Sequence, residues 1–339
     1  MPVIRIEDIA HVRFAAPDLP AMRAFLLDFG LSCFEAGGRL YGKGSDGRPF
    51  VHVTEPGEAR FLAVGLRAAS IADLEVLAAH QRVPVEVLDE PGGGRIVRLT
   101  DPDGYQVEVV AGQETAEPSP AITDAPRNSV SATQRQRASV RLEATPAHVH
   151  RIGHAVLKVR DFRTSEAWYK ERFGLLTSDE VEAAHDVPLG AFMRCDLGER
   201  LADHHTLFLA QLPGELGLLH AAFEVANLDD LMLGHQHLKA AGREAAWGVG
   251  RHIMGSQVFD YWKDPFGNEL EHWTDGDLFT AADPPQKLPM SALLAVQWGS
   301  PHPMFAGKVA PPPGLISFVI ALQLRLKRLF RRNYQGTPA

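Results

Sequence analysis

Histidine is concentrated in one part of this 339-residue chain. Eleven of the fifteen histidines lie between His148 and His272. Imidazole is the commonest metal ligand in proteins, and it also exchanges protons near neutral pH. The concentration therefore indicates a metal or acid–base site in the second half of the chain.

Internal repeats indicate which elements position these histidines. Two pairs of segments each read as a strand, an Asp-containing segment and an amphipathic helix, and a third pair reads as a Pro-Gly turn that enters a strand. The pairs are Ile9–Leu31 with Ile152–Leu175, Phe61–His80 with Leu219–Leu238, and Asp101–Val110 with Asp264–Trp273. Each half of the chain thus contains two units of one strand, one helix and further strands.

The repeats also predict the domain organisation. We expect an N-terminal domain over 1–112, a linker over 113–147, a C-terminal catalytic domain over 148–279 and a tail over 280–339. The linker is rich in Ser, Thr, Ala and Pro and has room for one short helix.

The tail contains about ten mostly apolar residues, Leu315–Leu324, followed by five basic residues. This stretch is too short for a membrane span, which needs roughly 18 or more apolar residues. It predicts a short basic amphipathic helix that lies on an anionic membrane surface or packs on the body or a neighbouring subunit. The second interpretation is favoured.

Composition excludes several classes of protein. The net charge of −8 argues against a general nucleic-acid binder. Cys33 and Cys195 form no CxxC pair, so neither a thiolate zinc site nor a disulfide framework is indicated. Charges at Arg5, Glu7 and Asp8 interrupt the apolar core that a signal peptide needs. We expect a cytoplasmic protein without a transmembrane segment.

The repeat identifies a candidate metal site. Alternate side chains of a strand share a face, so a sheet curved into an open barrel directs chosen side chains to one interior. Corresponding strands of the second half supply His154, His220 and Glu271. Two nitrogens and one carboxylate leave positions on the metal open, an arrangement that suits Fe(II) with an organic substrate and O2 and also admits Mn(II).

Two comparisons within the sequence refine this assignment. Glu269 is a rival ligand on the same strand face, but Glu271 matches Glu108 of the first half, which favours Glu271. The first-half equivalents of the two histidines are His11 and Ala63. Alanine cannot bind metal, so we expect the N-terminal domain to lack a complete metal site.

The second half resembles the catalytic domain of type I extradiol ring-cleaving dioxygenases of the vicinal oxygen chelate superfamily, enzymes like catechol 2,3-dioxygenase. The matching stretches are GHAVLKV, DHHTLFLAQ, LLHAAFEV and GRHIMGSQVFDYWKDPFGNELEHW. The resemblance covers roughly residues 5 to 280. It implies an α+β fold in which four βαβββ modules pair into two domains, each an open mixed β-barrel.

The resemblance also implies roles for individual residues. His154, His220 and Glu271 would hold the iron, while His205, His252 and Tyr261 would handle protons and hydrogen-bond the substrate. Alternation along a strand would place His204 on the outer face, opposite His205. The neighbours of Tyr261 are placed in the same way, with Phe259 on its face and Asp260 and Trp262 pointing away.

The implied activity is Fe(II)-dependent cleavage of a catechol ring with O2, in the degradation of aromatic compounds. Some relatives that cleave two-ring catechols carry Asn-Asp where this chain has Met254-Gly255, so a substituted monocyclic catechol is expected. The partners would be a small aromatic diol and O2, without nucleic acid, and a homo-oligomer is expected. The alternatives are a metal-dependent isomerase, a keto-acid oxygenase, or a non-catalytic ligand-sequestering protein of the resistance type.

Four other histidines of the second half are expected to lie outside the site. His235 and His237 lie on a predicted helix and are expected to face solvent, whereas His185 and His272 are expected to be structural.

Overall fold

The computed structural model describes residues 1–119, 126–293 and 295–303, together with Ile320 and Leu322. The first half of the chain contains two successive βαβββ units. Its elements are β1 (Ile6–Ala16), α1 (Leu19–Asp28), β2 (Ser32–Ala36), β3 (Arg39–Lys43), β4 (His52–Pro56), β5 (Arg60–Ala68), α2 (Ile71–Gln81), β6 (Glu86–Val87), β7 (Arg95–Thr100) and β8 (Gln106–Ala111).

The second half repeats this order and adds short strands. Its elements are β9 (Val149–Lys158), α3 (Phe162–Phe173), β10 (Leu176–Ala184), β11 (Val187–Arg194), β12 (Ala202–Asp203), β13 (Leu207–Ala210), β14 (Gly217–Val225), α4 (Leu228–Ala240), β15 (Glu244–His252), β16 (Val258–Lys263), β17 (Glu269–Thr274), β18 (Leu278–Phe279), β19 (Gln286–Pro289), α5 (Met290–Leu293) and β20 (Val296–Gly299).

The two large sheets share one topology. The first has the strand order β2-β3-β4-β1-β5-β8-β7-β6, and the second has β10-β11-β13-β9-β14-β17-β16-β15 with β19 and β20 added at its edges. In both sheets the two units meet through an antiparallel central pair, β1 with β5 and β9 with β14. The last strand of each unit runs parallel to its first strand. The predicted vicinal oxygen chelate fold of four βαβββ modules is confirmed.

Local sequence explains where the four main helices begin. The side chain of each N-cap residue accepts a hydrogen bond from a backbone N–H three residues further on, which satisfies one of the free donors of the first turn. These N-cap residues are Asp18, Ser70, Asp161 and Asn227. In the first pair of repeats the Asp of the predicted turn is therefore the cap, whereas Ser and Asn take this role in the second pair.

A shared core joins the two halves near the second sheet. The rings of Phe29 and Phe223 make an edge contact at 5.6 Å between centroids. The ring of His272 stacks on Phe29 at 3.8 Å, and its Nε2 donates to the Phe29 carbonyl oxygen at 2.7 Å. The structural role expected for His272 is therefore a contact between the halves.

The linker and the tail lie outside the repeats. The linker residues 113–119 and 126–147 contain no helix, and the first of these stretches bonds to the first half, as from the Glu114 N–H to the Gly92 carbonyl. The predicted basic helix of the tail lies outside the described residues, except for Ile320 and Leu322. Among the helices that the structure describes, none has the length and apolar character to cross a membrane.

Candidate metal centre and its surroundings

The candidate centre is built on four adjacent strands of the second sheet. Ala222 on β14 lies between His154 on β9 and Glu271 on β17, and Glu271 in turn pairs with Tyr261 on β16. This row of side chains therefore crosses the sheet on one face. Strands lie about 4.8 Å apart, so the small side chain of Ala222 lets His154 and Glu271 approach each other over the strand between them.

His220 completes the group of potential ligands. Its Nε2 lies 3.3 Å from Oε2 of Glu271, and the Nε2 of His154 lies 3.2 Å from the same oxygen. One ligand atom from each of the three residues lies within 4.8 Å of the others, and within the described part of the chain this is the one group of three or more such residues that could hold a metal ion. Glu269, the rival ligand, is not a member.

The charge state of this group suits metal binding. Burial lowers the pKa of His154, although Glu271 opposes the shift. Burial by itself would raise the pKa of Glu271, but the imidazoles of His154, His220 and His252 outweigh it, and the pKa lies well below its usual range. A neutral imidazole beside an ionised carboxylate is the state that a divalent metal requires.

The lack of hydrogen bonds to Glu271 also favours metal binding. Glu271 is fully buried, and neither of its carboxylate oxygens accepts a hydrogen bond of acceptable geometry in the described structure. A buried carboxylate without hydrogen bonds is costly unless it is paired or coordinates a metal. The donor set and this orphaned carboxylate both fit a divalent ion held by two imidazoles and one carboxylate.

A close approach of backbone fixes the first of these ligands. Gly153 precedes His154, and a Cβ on Gly153 would lie 2.5 Å from the Trp273 ring. Trp273 follows two residues after Glu271 on β17 and packs on this bare backbone. The glycine therefore allows the two ligand-bearing strands to pack tightly.

His252 and Tyr261 lie beside the carboxylate. The His252 Nε2 lies 3.0 Å from the Tyr261 hydroxyl and 3.7 Å from Oε1 of Glu271. Burial and the negative charge of Glu271 raise the pKa of Tyr261 well above its usual value. Tyr261 therefore stays a protonated hydroxyl that can donate a hydrogen bond.

His205 lies on the other side of the group. It sits in the loop between β12 and β13, and its ring is 3.8 Å from the His154 ring between centroids. Burial, followed by the effect of His154 and His204, lowers the pKa of His205 well below its usual value. All six residues singled out in the sequence thus lie around one point.

The predicted placement of His204 is wrong. His204 is 1% exposed, and its Nε2 lies 2.8 Å from Oδ2 of Asp179 on β10. Alternation failed because His204 and His205 lie in a loop rather than in a strand. Both Nδ1 atoms of the pair therefore face each other at 3.1 Å.

Other histidine predictions had mixed outcomes. His235 is half-buried, and its Nδ1 pairs with Asp260 at 3.2 Å, so the prediction that it faces solvent is wrong. His237, also expected to face solvent, pairs with Asp28 at 3.1 Å. His185, expected to be structural, is exposed and pairs with its neighbour Asp186.

The strand alternation predicted around Tyr261 is present. Asp260 accepts a hydrogen bond from the indole N–H of Trp262, away from the centre. Phe259 faces the centre, and its ring stacks on His252 at 4.1 Å.

Trp247 on β15 is a neighbour of the centre that sequence reasoning missed. Its ring lies 4.5 Å from Phe259, 5.4 Å from Tyr261 and 4.6 Å from His302, measured between centroids. Its indole N–H donates to the Ser300 carbonyl oxygen at 3.0 Å. No motif marks Trp247, because Ser300 and His302, which it contacts, lie outside the repeats.

The first half contains a charge cluster at the equivalent place. The strand register makes Arg13 the equivalent of Val156 and Ala63 the equivalent of His220. The Arg13 guanidinium donates to Oε2 of Glu108 at 2.9 Å, and His11 contacts the same oxygen at 2.7 Å. Burial would raise the pKa of Glu108, but His11 and Arg13 lower it to about 2. A guanidinium thus supplies the positive charge that a metal would supply in the second half.

The chain is similar in sequence to known proteins. Residues 151–272 match the model of the Glyoxalase/Bleomycin resistance protein/Dioxygenase superfamily. This segment is a domain of that superfamily. The chain is 29% identical to metapyrocatechase 2 of Cupriavidus necator over 315 residues, which covers 88% of this chain and 91% of that protein. It is 27% identical to biphenyl-2,3-diol 1,2-dioxygenase of Paraburkholderia xenovorans over 283 residues, which covers 79% and 87%.

Two solved structures have the same fold as this chain. The Mn(II)-bound glyoxalase from Novosphingobium aromaticivorans aligns with a TM-score of 0.73 at 24% identity, over 92% of this chain and 97% of that one. An extradiol ring-cleaving dioxygenase from Brevibacterium fuscum aligns with a TM-score of 0.68 at 18% identity, over 85% and 77%. The predicted relationship to extradiol ring-cleaving dioxygenases is confirmed, and with it the assignment of the chain to that class of enzyme.

Proposed function

We propose that this superfamily member is an Fe(II)-dependent extradiol dioxygenase that cleaves the ring of a substituted, monocyclic catechol with O2. One observation carries the proposal: His154, His220 and Glu271 converge on one point, with His205 on one side and His252 with Tyr261 on the other. The names of relatives, which include an iron-dependent extradiol dioxygenase from Rhodococcus jostii, support the choice of metal and reaction. The ligand set also suits Mn(II).

The three ligand residues would hold the metal and leave its remaining positions open to small molecules. A bound divalent ion lowers the pKa of a coordinated hydroxyl and holds two reactants in contact. His154, His220 and Glu271 come from three different strands of one sheet, so their separation is fixed by backbone hydrogen bonds. This rigidity orients what binds between them.

The surrounding residues would bind the diol and move its protons. Tyr261 and His252 form a hydrogen-bonded pair next to Glu271 and would orient a catechol oxygen at that side. His205, whose low pKa keeps it neutral, would accept a proton at its free ring nitrogen and return it later. A positioned acid or base contributes roughly 100- to 10,000-fold in rate.

The monocyclic preference rests on Met254. This side chain is 6% exposed and belongs to an apolar cluster with Val156, Phe192 and Phe208. The rings of Phe192 and His205 lie 4.9 Å apart, so this cluster borders the centre. Met254 thus belongs to the apolar cluster that borders the centre, and we expect its side chain to limit the space for a second ring.

The test is an anaerobic metal assay followed by O2 uptake with catechol, 3-methylcatechol, 4-methylcatechol and 2,3-dihydroxybiphenyl. We expect metal-dependent O2 uptake, a yellow ring-opened product and faster turnover of the one-ring substrates. In Met254→Ala, kcat/KM for the two-ring substrate should rise relative to that for catechol. Conversion of substrate without O2 would instead support the isomerase, and ligand binding without conversion would support the sequestering protein.

A matched pair of variants separates the metal ligands from the proton-handling residues. His205→Ala should lower kcat by about 100-fold or more while the metal stays bound, whereas His220→Ala should lose the metal. Loss of metal from His205→Ala in parallel with activity would contradict the role of His205.

A further inference from the structure

Three buried polar side chains form a line that leads away from the candidate metal centre. Asp179 lies on β10, and His204 and His205 lie in the loop before β13. Oδ2 of Asp179 is 2.8 Å from Nε2 of His204, and Nδ1 of His204 is 3.1 Å from Nδ1 of His205. The three residues are 7%, 1% and 3% exposed.

The hydrogen-bonding capacity of each group limits where the protons can lie. An ionised carboxylate only accepts hydrogen bonds, so Nε2 of His204 carries the proton that it shares with Asp179. In the singly protonated form, His204 has a lone pair at Nδ1, and Nδ1 of His205 is the donor to it. The remaining nitrogen of His205, Nε2, is left with a lone pair.

Packing around the pair protects this arrangement. The Phe192 ring lies 5.0 Å from the His204 ring and 4.9 Å from the His205 ring, and the Phe279 ring lies 5.4 Å from that of His204. A Cβ on Gly255, whose φ is +74°, would lie 2.7 Å from Nδ1 of His204. Apolar rings and bare backbone therefore surround the contact, and a hydrogen bond in such a low-dielectric setting is strong.

We propose that Asp179 and His204 are positioning residues that hold His205 in its Nδ1–H tautomer, with the Nε2 lone pair available to the metal centre. This inference rests on the proposed function, because the tautomer matters only if His205 receives a proton there. In that step the O–H bond of the diol breaks and an N–H bond forms at Nε2. The proton returns to the ring-opened product, so His205 ends the cycle as it began.

The first experiment reads the tautomer directly and requires neither metal nor substrate. Ring-¹⁵N-labelled protein is prepared metal-free, and the His205 resonances are assigned by comparison with His205→Gln. We expect Nδ1 of His205 to have the shift of a protonated nitrogen and Nε2 that of an unprotonated one. In Asp179→Asn the amide N–H can donate to His204 and reverse its tautomer, so His205 should move toward the Nε2–H form.

The second experiment measures turnover in a matched pair at position 204. In His204→Asn the side-chain carbonyl can replace Nδ1 as the acceptor, whereas His204→Leu offers no acceptor. We expect kcat to fall by roughly 100-fold in His204→Leu, to recover at least tenfold in His204→Asn, and KM to stay within about twofold in both. Thr206→Val is the control, because Thr206 is equally buried beside His205 but hydrogen-bonds Cys195 instead.

The two experiments fail in different ways. A wild-type protein that shows the Nδ1–H tautomer but cleaves no diol would overturn the proposed function and leave the positioning intact. An Nε2–H tautomer in wild-type protein, or equal kcat in His204→Leu and His204→Asn, would overturn the positioning role.

Discussion

Replacing Glu271 with glutamine tests the metal centre through stability rather than activity. The amide has almost the volume of the carboxylate, and neither Glu271 oxygen accepts a hydrogen bond in the described structure. The substitution therefore creates no cavity, but it removes the charge that the neighbouring imidazoles stabilise. We expect Glu271→Gln to lower the free energy of unfolding of the metal-free protein, because the low pKa of Glu271 means that the folded state favours the ionised carboxylate. The metal-free Tm of each variant therefore serves as its own baseline.

The metal-loaded protein should respond differently. A ligand present at 1,000 times its dissociation constant stabilises the folded state by about 4 kcal/mol, which corresponds to roughly 8–16 °C in Tm for a unit of 150–250 residues. Wild-type protein should show an increase of this order when Mn(II) is added. Glu271→Gln should show little of this increase in Tm, because it lacks the carboxylate that lies beside both His154 and His220.

The assay is anaerobic thermal unfolding followed by circular dichroism, with and without Mn(II). Glu269→Gln is the matched control, since Glu269 lies on the same strand two residues away but outside the ligand group. A metal-dependent increase in Tm that survives in Glu271→Gln, or that is lost equally in Glu269→Gln, would refute the assignment of the carboxylate ligand.

Three further predictions concern other parts of the molecule. Burial, reinforced by His11, lowers the pKa of His52 to about 3 in the folded protein. In the unfolded chain the imidazole takes up a proton as the pH falls below about 6.5, whereas the folded state resists this. The free energy of unfolding should therefore fall by about 2 kcal/mol by pH 5. In urea unfolding at pH 7 and pH 5, His52→Phe should lose less free energy of unfolding between the two pH values than the wild-type protein. An equal loss in both proteins would exclude His52 as the source. Burial raises the pKa of the Cys195 thiol. Cys195 should therefore not react with a thiol reagent at pH 8 until urea unfolds the chain. Fast labelling of Cys195 in the native protein would contradict this prediction. His272→Leu leaves the buried Phe29 carbonyl without its donor and should cost about 1–3 kcal/mol in the free energy of unfolding, while the exposed substitution His185→Leu should cost almost nothing.

Much of the fold and of the centre could be predicted because the chain repeats itself. Matching Glu108 to Glu271 identified the strand that carries the carboxylate, and alternation placed Phe259 with Tyr261 and Asp260 away from them. These predictions depend only on the period of a strand and on the order of the modules, which the sequence displays directly.

The errors arose where position depends on contacts between distant segments. His204 was placed by strand alternation, but it lies in a loop whose conformation depends on Asp179 and Gly255. His235 was placed by helix position alone, without its partner Asp260 on another element. Trp247 could not be found because Ser300 and His302, which contact it, lie outside the repeats.

The Arg13 guanidinium in the first half has a consequence for how the whole chain responds to chelators. This cation is covalently part of the polypeptide, so the charge balance around Glu108 survives any treatment that strips divalent ions. In the described part of the second half there is no such internal substitute, because Val156 stands at the corresponding position. Chelation should therefore lower the stability of the second half directly, while the charge balance around Glu108 stays unchanged, and proteases should cut the metal-free protein faster than the metal-loaded one.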